Sequence, residues 1–412
     1  EETSYFHFAL LWGEDIENVA IVGKGTIDSN RKDRSGPKTI ALKRCRQITL
    51  RDITIRNAGN YAISLLGTDF VNIDGVTIFS SYCDGIDPDC CHDVRISNCS
   101  IESWDDAIVP KTSYSLGYHR STENITVTNC VLATSCNAFK LGTESGGDFK
   151  NITVSNCAMI PYKSNVNYRE PTPPISGISL ISVDGSHIDG INITNISMEG
   201  VCYPIFVRLG NRGRDLKEPV PGTIDHVNIS HITATKALIG CLIIGHPGRP
   251  IENLNLENIQ IECVGGGVYD PALPDIEEAM QMYPSAGKFH DLPTFGVYGR
   301  HVSGLDLEKF RLSVDTNDTR NASLFEDVSN LRIDSWEVQG IEGATAMIRC
   351  DNVWDALIRG CRPSSATSHF LEVSGAQSHG IAVTGNDLSG LKEPCKLHPD
   401  TPNEAVQLKF NL

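Results

Sequence analysis

FVNIDGVTI at residues 70–78, DVRISNCSI at 93–101, NITVTNCVL at 124–132 and NITVSNCAM at 151–159 are four copies of one phrase: apolar-x-apolar-x-turn-x-x-apolar, with Asn or Gly at the turn. The phrase extends outward in both directions. Upstream it reads NVAIVGKGTI at 18–27 and QITLRDITI at 47–55. Downstream it reads GINITNISM at 190–198, HVNISHITA at 226–234, NLNLENIQI at 253–261, GLDLEKFRL at 304–312 and NLRIDSWEV at 330–338, with weaker copies around Val353 and Ile381. Alternating apolar residues describe a short strand with one face turned inward. Ile48, Val71 and Val94 follow one another at 23 residues, a length that suits one turn of a three-sided coil. Asp52, Gly75, Asn98, Asn129, Asn156, Asn195 and Asn258 share the turn position. Asn tolerates left-handed backbone, and its amide can bond its equivalent one coil away, so an internal ladder that satisfies buried polar groups is expected. No LxxLxL phrase with a helical return is visible, and the period is too short for a four-stranded propeller blade. The expected architecture is all-β: a right-handed parallel β-helix of about thirteen coils, one domain over 1–412. Insertions rich in Pro and Gly fall near 159–177, 209–222 and 264–295, and on a solenoid they are expected to wall a binding groove. Whether they close one end decides between exo and endo action.

The formal charge of −16 repels a nucleic-acid backbone. No run of about 18 apolar residues offers a membrane span. Glu1 opens on structured-looking sequence without a signal-peptide pattern, so a leader is taken as removed or not included, and the expected location is secreted or periplasmic. Of the 14 Cys, Cys99, Cys130 and Cys157 recur at one place in the repeat, which favours buried thiols in a stack over a disulfide framework. No zinc-type CxxC pair occurs, and neither metal nor cofactor is expected. The NxS/T triplets at Asn124, Asn151, Asn192 and Asn228 are read as the repeat itself rather than as glycosylation sites.

Asp84 lies 13 residues after Val71, and Asp105 and Asp106 lie 11 and 12 after Val94. Parallel strands sit about 4.8 Å apart, so residues of nearly equal phase in adjacent coils are neighbours. Three carboxylates then share one small surface, where mutual repulsion raises at least one pKa. A protonated carboxyl beside ionised partners is what glycoside cleavage needs: one protonates the leaving oxygen and another activates water. Asp87 and Asp89 add acidity nearby. Calcium is the alternative use of such a cluster, but Lys111 follows at the same coil end, where a cation would oppose it.

CDGID at 83–87 and WDDAIVPKTS at 104–113 resemble the NTDG and DDxIxxKSG motifs of the polygalacturonases, family 28 of the glycoside hydrolases. IAL…CRQITLRDITIRN at 40–57 and FGVYGRHVSGLDLEKFRL at 295–312 resemble its bacterial branch. The resemblance implies Asp105 as general acid, Asp84 and Asp106 as the groups that position and deprotonate water, inversion without metal, and Lys111 contacting substrate or tuning Asp105. Two motifs depart from the pattern. SCNAFKLGTES at 135–145 puts Cys136 or Asn137 where the family has histidine, leaving Lys140, His119 and His92 as candidate substitutes. GISLIS at 177–182 puts Ser179 and Ile181 where an Arg-x-Lys pair would meet a galacturonate carboxylate. Arg208, Arg212 and Arg214, and Arg300 with His301, are candidate replacements, since Arg grips carboxylate or sulfate bidentately. Substrate contacts are thus expected from Lys111, Lys140, Asn137, Arg208, Arg212 and Arg300. Tyr61, Trp104, Tyr114, Tyr118, Tyr203 and Tyr298 are expected either to stack on sugar or to pack in the core. The expected partner is a pectin-like or other acidic poly- or oligosaccharide. A lyase or epimerase on the same fold and a non-catalytic glycan-binding β-helix are the competing readings.

Overall fold

The computed structural model describes residues 6–163, 172–270, 276–289, 292–339, 341–363, 367–391 and 393–412. Successive turns pair in parallel and in register: Ile48 lies opposite Val71, Val71 opposite Val94, Val94 opposite Ile125 and Ile125 opposite Ile152. Each of these side chains is buried. Such an aliphatic stack removes about 1.5–3 kcal/mol of apolar exposure per side chain, and the loss of alternation at any one position would open a cavity across two turns. The result is a right-handed parallel β-helix of about fourteen turns. The turn beyond the expected thirteen ends in Val406–Lys409, which pairs with His379–Thr384. Its run AVQLKF lacks the turn residue that marks the other copies.

The repeat's turn position is left-handed throughout, with φ of 62° at Asp52, 57° at Asn98, Asn129 and Asn195, and 54° at Asn258. The asparagine ladder exists, but its place differs from expectation. Asn129 donates to Asn98 and Asn195 to Asn156, both at 2.6 Å, on the exposed rim of the coil. Left-handed backbone turns the side chain out at a corner, so the ladder ties neighbouring turns at the surface while the interior stays apolar. Cys99, Cys130 and Cys157 stack inside as free thiols, as the repeat implied, and the other cysteines are likewise unbridged.

One sheet carries the site. Its strands include Lys38–Lys43, Ile63–Leu66, Ile86–Asp89, Asn137–Leu141, Ser176–Ser182, Tyr203–Leu209 and Cys241–Ile244. Ile63, Ile86, Ile108, Phe139, Ile178 and Ile205 face inward in one register. The alternate residues face outward, and Lys140, Ser179, Phe206, Leu242 and Tyr298 align along the outer surface.

Of the three expected insertions, 164–171, 271–275, 290 and 291 lie outside the described residues. Residues 276–289 lie across the outer face of the sheet. Ala286 and Phe289 pack on a cluster that contains Ile181, Phe206, Leu242, Ile244 and Tyr298. Polar contacts pin the segment: Tyr203 Oη donates to the Phe289 carbonyl at 2.8 Å, and Asn211 N donates to the Met280 carbonyl at 2.8 Å. Two further connections were not anticipated as insertions. The 112–121 connection places Leu116 beside Gly67, and the 29–36 segment rests on Gly59, where a Cβ would fall 1.9 Å from the Ser35 carbonyl oxygen.

Candidate active site

Asp84 and Asp106 each precede an inward isoleucine, Ile86 and Ile108, by two residues, and those isoleucines pair. Strand register therefore sets the two aspartates at one level on adjacent turns. Gly85 N donates to the Asp106 carbonyl at 2.9 Å, and a Cβ on Gly85 would meet the Ala107 carbonyl oxygen at 2.4 Å, so the turns close up here only because residue 85 has no side chain. Asp105 sits between. Its carboxylate comes within 4.8 Å of Asp84 on one side and of Asp106 on the other. The three expected carboxylates thus share one site.

Each has its own cation. Lys111 Nζ lies 2.9 Å from Asp84 Oδ2 and 2.5 Å from Asp87 Oδ1, and stands 4.5 Å from the centre of the Tyr61 ring. Lys140 Nζ donates to Asp106 Oδ2 at 2.7 Å, while the Asn137 side-chain amide donates to Oδ1 at 2.5 Å. Arg34 Nη1 lies 2.7 Å from Asp105 Oδ2. Burial would lower both lysine pKa values, but the carboxylates win and hold each ammonium above its ordinary range: Asp84 and Asp87 for Lys111, Asp106 for Lys140. Burial first, and then Asp84 and Asp106, push the Asp105 carboxyl up to about 6, against the pull of Arg34 and Lys140. Burial and Asp84 also push Asp87 well above the carboxylate range despite Lys111.

The structure distributes the remaining expected residues differently. Asn137 and Lys140 join the site, both on Asp106. Cys136 takes the position beside the acid, its thiol within 4.8 Å of Asp105 and Asp106, and burial together with those charges pushes it well above the usual thiol range. His119 packs on Tyr114 with ring centres 5.0 Å apart, and His92 bonds Ser121 and Arg120, so the structure gives neither a contact with the carboxylates.

The arginines are corrected as substrate contacts. Arg208 is 1% exposed beneath the 276–289 segment and donates to the Glu278 carbonyl. Arg300 pairs with Glu278 at 2.6 Å, which also receives His301. Arg212 is forked onto Asp184. Buried or paired in this way, they anchor loops. Trp104, Tyr203 and Tyr298 are buried, whereas Tyr114 and Tyr118 are exposed. The residues that sequence reasoning missed are Arg34 and Tyr283. Tyr283 closes on the site's far side, where Thr143 Oγ1 donates to its hydroxyl at 3.2 Å.

Two sets are compact enough for a metal, Cys83 with Asp84 and Asp105, and Asp105 with Asp106 and Cys136. The donor chemistry argues otherwise. All three carboxylates already have a cation in contact, and both thiols are held protonated, Cys83 chiefly by burial and Asp84 and Cys136 by burial and Asp105.

The model for glycosyl hydrolases family 28 matches residues 1–272, about two thirds of the sequence and the part that holds the three carboxylates with Arg34, Lys111 and Lys140. The chain belongs to glycosyl hydrolase family 28. A probable polygalacturonase from Vitis vinifera is 21% identical to it over 276 residues, 61% of this chain and 54% of that protein. This family 28 chain therefore spans about half the length of the curated relative it matches. Among solved structures, a hyperthermoactive exopolygalacturonase from Thermotoga maritima aligns at TM-score 0.53 and 18% identity, over 62% of this chain and 67% of that one. A family 28 exopolygalacturonase from Yersinia enterocolitica aligns at TM-score 0.43 and 14% identity, over 80% and 60% respectively. Among the described residues, no helix is long and apolar enough to cross a membrane.

Proposed function

We propose that this protein hydrolyses a glycosidic bond in a pectin-like acidic poly- or oligosaccharide outside the cytoplasm. The observation that carries this reading is Asp105, a carboxyl raised to about 6 between two carboxylates that each have a buried lysine partner. Asp105 is then the general acid, protonating the leaving oxygen, and Asp84 and Asp106 orient water and take its proton. A lyase or epimerase fits less well, because Lys111 and Lys140 are held charged by their carboxylates and so cannot take a proton from C5. A purely glycan-binding role leaves the buried repulsion at Asp105 without a use. A panel of galacturonan, rhamnogalacturonan and other acidic polysaccharides, assayed by reducing ends, tests the reading. Release of reducing ends from at least one is expected, and a rise in unsaturated-sugar absorbance instead would mean elimination.

Inversion is our stereochemical reading, since one acid and two water-facing carboxylates supply more than a nucleophile pair requires. Spacing favours the second reading, retention: gaps under 4.8 Å lie nearer the roughly 5–5.5 Å of retaining pairs than the roughly 6.5–9.5 Å of inverting ones. Proton NMR of the first product anomer decides. An inverted anomer is expected, and a retained one would make Asp84 or Asp106 a nucleophile.

The action is exo. Residues 276–289 cover Phe206, Leu242 and Tyr298, the outward positions in line after Lys140 and Ser179, so the groove ends about two turns beyond the turn of Asp105 and Asp106. A chain end fits such a pocket, whereas an internal segment must run through it. Early digests are expected to contain one short product with little loss of viscosity. An early ladder of oligosaccharides would show that the chain passes the wall.

A further inference from the structure

The substrate proposed above carries a carboxylate, and a desolvated carboxylate needs a cation. Ser179 and Ile181, both buried, supply none, and Lys111 and Lys140 are buried on their own aspartates. Arg34 differs from them. It reaches over the site from the 29–36 segment that Gly59 admits, and its side chain is partly exposed. Among the described residues its one ion-pair partner is Asp105, through Nη1, which leaves most of a five-donor fork for a ligand.

We infer that Arg34 is an exchangeable clamp: it pairs with Asp105 in the free protein and transfers to the uronate carboxylate of the bound sugar, so that near neutral pH an anionic substrate arms the general acid. This deepens the proposed function and rests on it. The exchange balances. The Arg34–Asp105 pair breaks, an Arg34–uronate pair forms, and Asp105, now the carboxylate without a cation, takes one proton from solvent. Burial drives that uptake, with Asp84 from the preceding turn and Asp106 on its own turn, while Lys140 opposes it; Cys83 and Cys136 also face the site, as neutral thiols. Toward Asp105, Arg34 is therefore a positioning residue whose charge favours the ionised acid until the substrate replaces it. A neutral sugar leaves the pair intact and, near neutral pH, the acid largely ionised.

Calorimetric binding of a sulfur-linked digalacturonate, which hydrolysis does not consume, tests the clamp independently of turnover. Titrations in two buffers of different ionisation enthalpy, between pH 6 and 7, are expected to show uptake of up to about one proton by the native protein and none by Arg34→Gln. The affinity of Arg34→Gln should fall roughly tenfold to a hundredfold, as expected for loss of a charged hydrogen bond, with partial recovery in Arg34→Lys. In kinetics, Arg34→Gln should move the alkaline limb of kcat/KM to higher pH and leave that of kcat in place. The preference for polygalacturonate over its methyl ester should shrink by a similar factor. Absence of binding, equal proton uptake in the two proteins, or an unchanged preference would overturn the clamp. Proton uptake without cleavage of any glycan would keep the clamp and remove the hydrolase reading.

Discussion

Asp105→Asn is expected to lower kcat by about 10²–10⁴-fold, the range of a positioned general acid. An amide keeps the shape of the side chain, and the hydrogen bonds that the Ser103 and Thr134 hydroxyls donate to the Asp105 backbone carbonyl are unaffected. What disappears is the proton. In the native protein the alkaline limb of kcat/KM should fall near pH 6, where the free Asp105 carboxyl ionises. The variant's residual rate should lack that limb. A profile that keeps it would assign the acid to another group, with Asp87 the first to examine.

The same substitution should make the protein more stable. Folding raises Asp105 from 3.8 to about 6, so the folded state binds this proton more tightly than the unfolded chain does. Stability from this group is therefore complete below about pH 3.8 and is lost as pH rises through about 6. The cost at neutral pH is at most about 3 kcal/mol, a ceiling that the loss of the Arg34 pair lowers. Denaturant unfolding of Asp105→Asn against the native protein should show a gap in favour of the variant that opens between pH 4 and 6 and is flat above. A gap that closes as pH rises would mean that burial is not what raises this carboxyl.

Alternation of apolar residues and a repeated turn residue made the solenoid legible, because both are local and recur at every coil. The carboxylates were legible for the same reason: residues at one phase of adjacent 23-residue turns have to be neighbours. Arg34 left no such mark. It lies 71 residues before Asp105, in an irregular segment whose reach depends on Gly59, and nothing in KDRSG points there. The arginines of FVRLGNRGRD and YGRHVSG misled in the opposite way. Their position beside the groove is real, but Glu278, on a segment that folds back from 70 residues beyond Arg208, claims two of them. Sequence phase orders what the coil carries, and it does not order what the insertions bring back onto it.

Lys111→Met should be the most damaging substitution to the fold around the site, costing about 3–5 kcal/mol. Its side chain is 7% exposed and its ammonium faces Asp84 and Asp87, whose side chains are 6% and 2% exposed. Methionine fills the volume but leaves two buried carboxylates with no cation. Acid should soften the loss, because Asp87 is already pushed well above its ordinary range and becomes neutral first as pH falls. The deficit measured by denaturant unfolding is therefore expected to be largest near pH 8 and to shrink toward pH 5. Asp87→Asn placed in the Lys111→Met background should recover part of it, since one of the two stranded charges is gone. The double-mutant cycle then gives the Lys111–Asp87 coupling directly. A cycle that closes to zero would mean that Lys111 serves Asp84 alone, and its role would move from holding the turn together to holding the water-activating carboxylate in line.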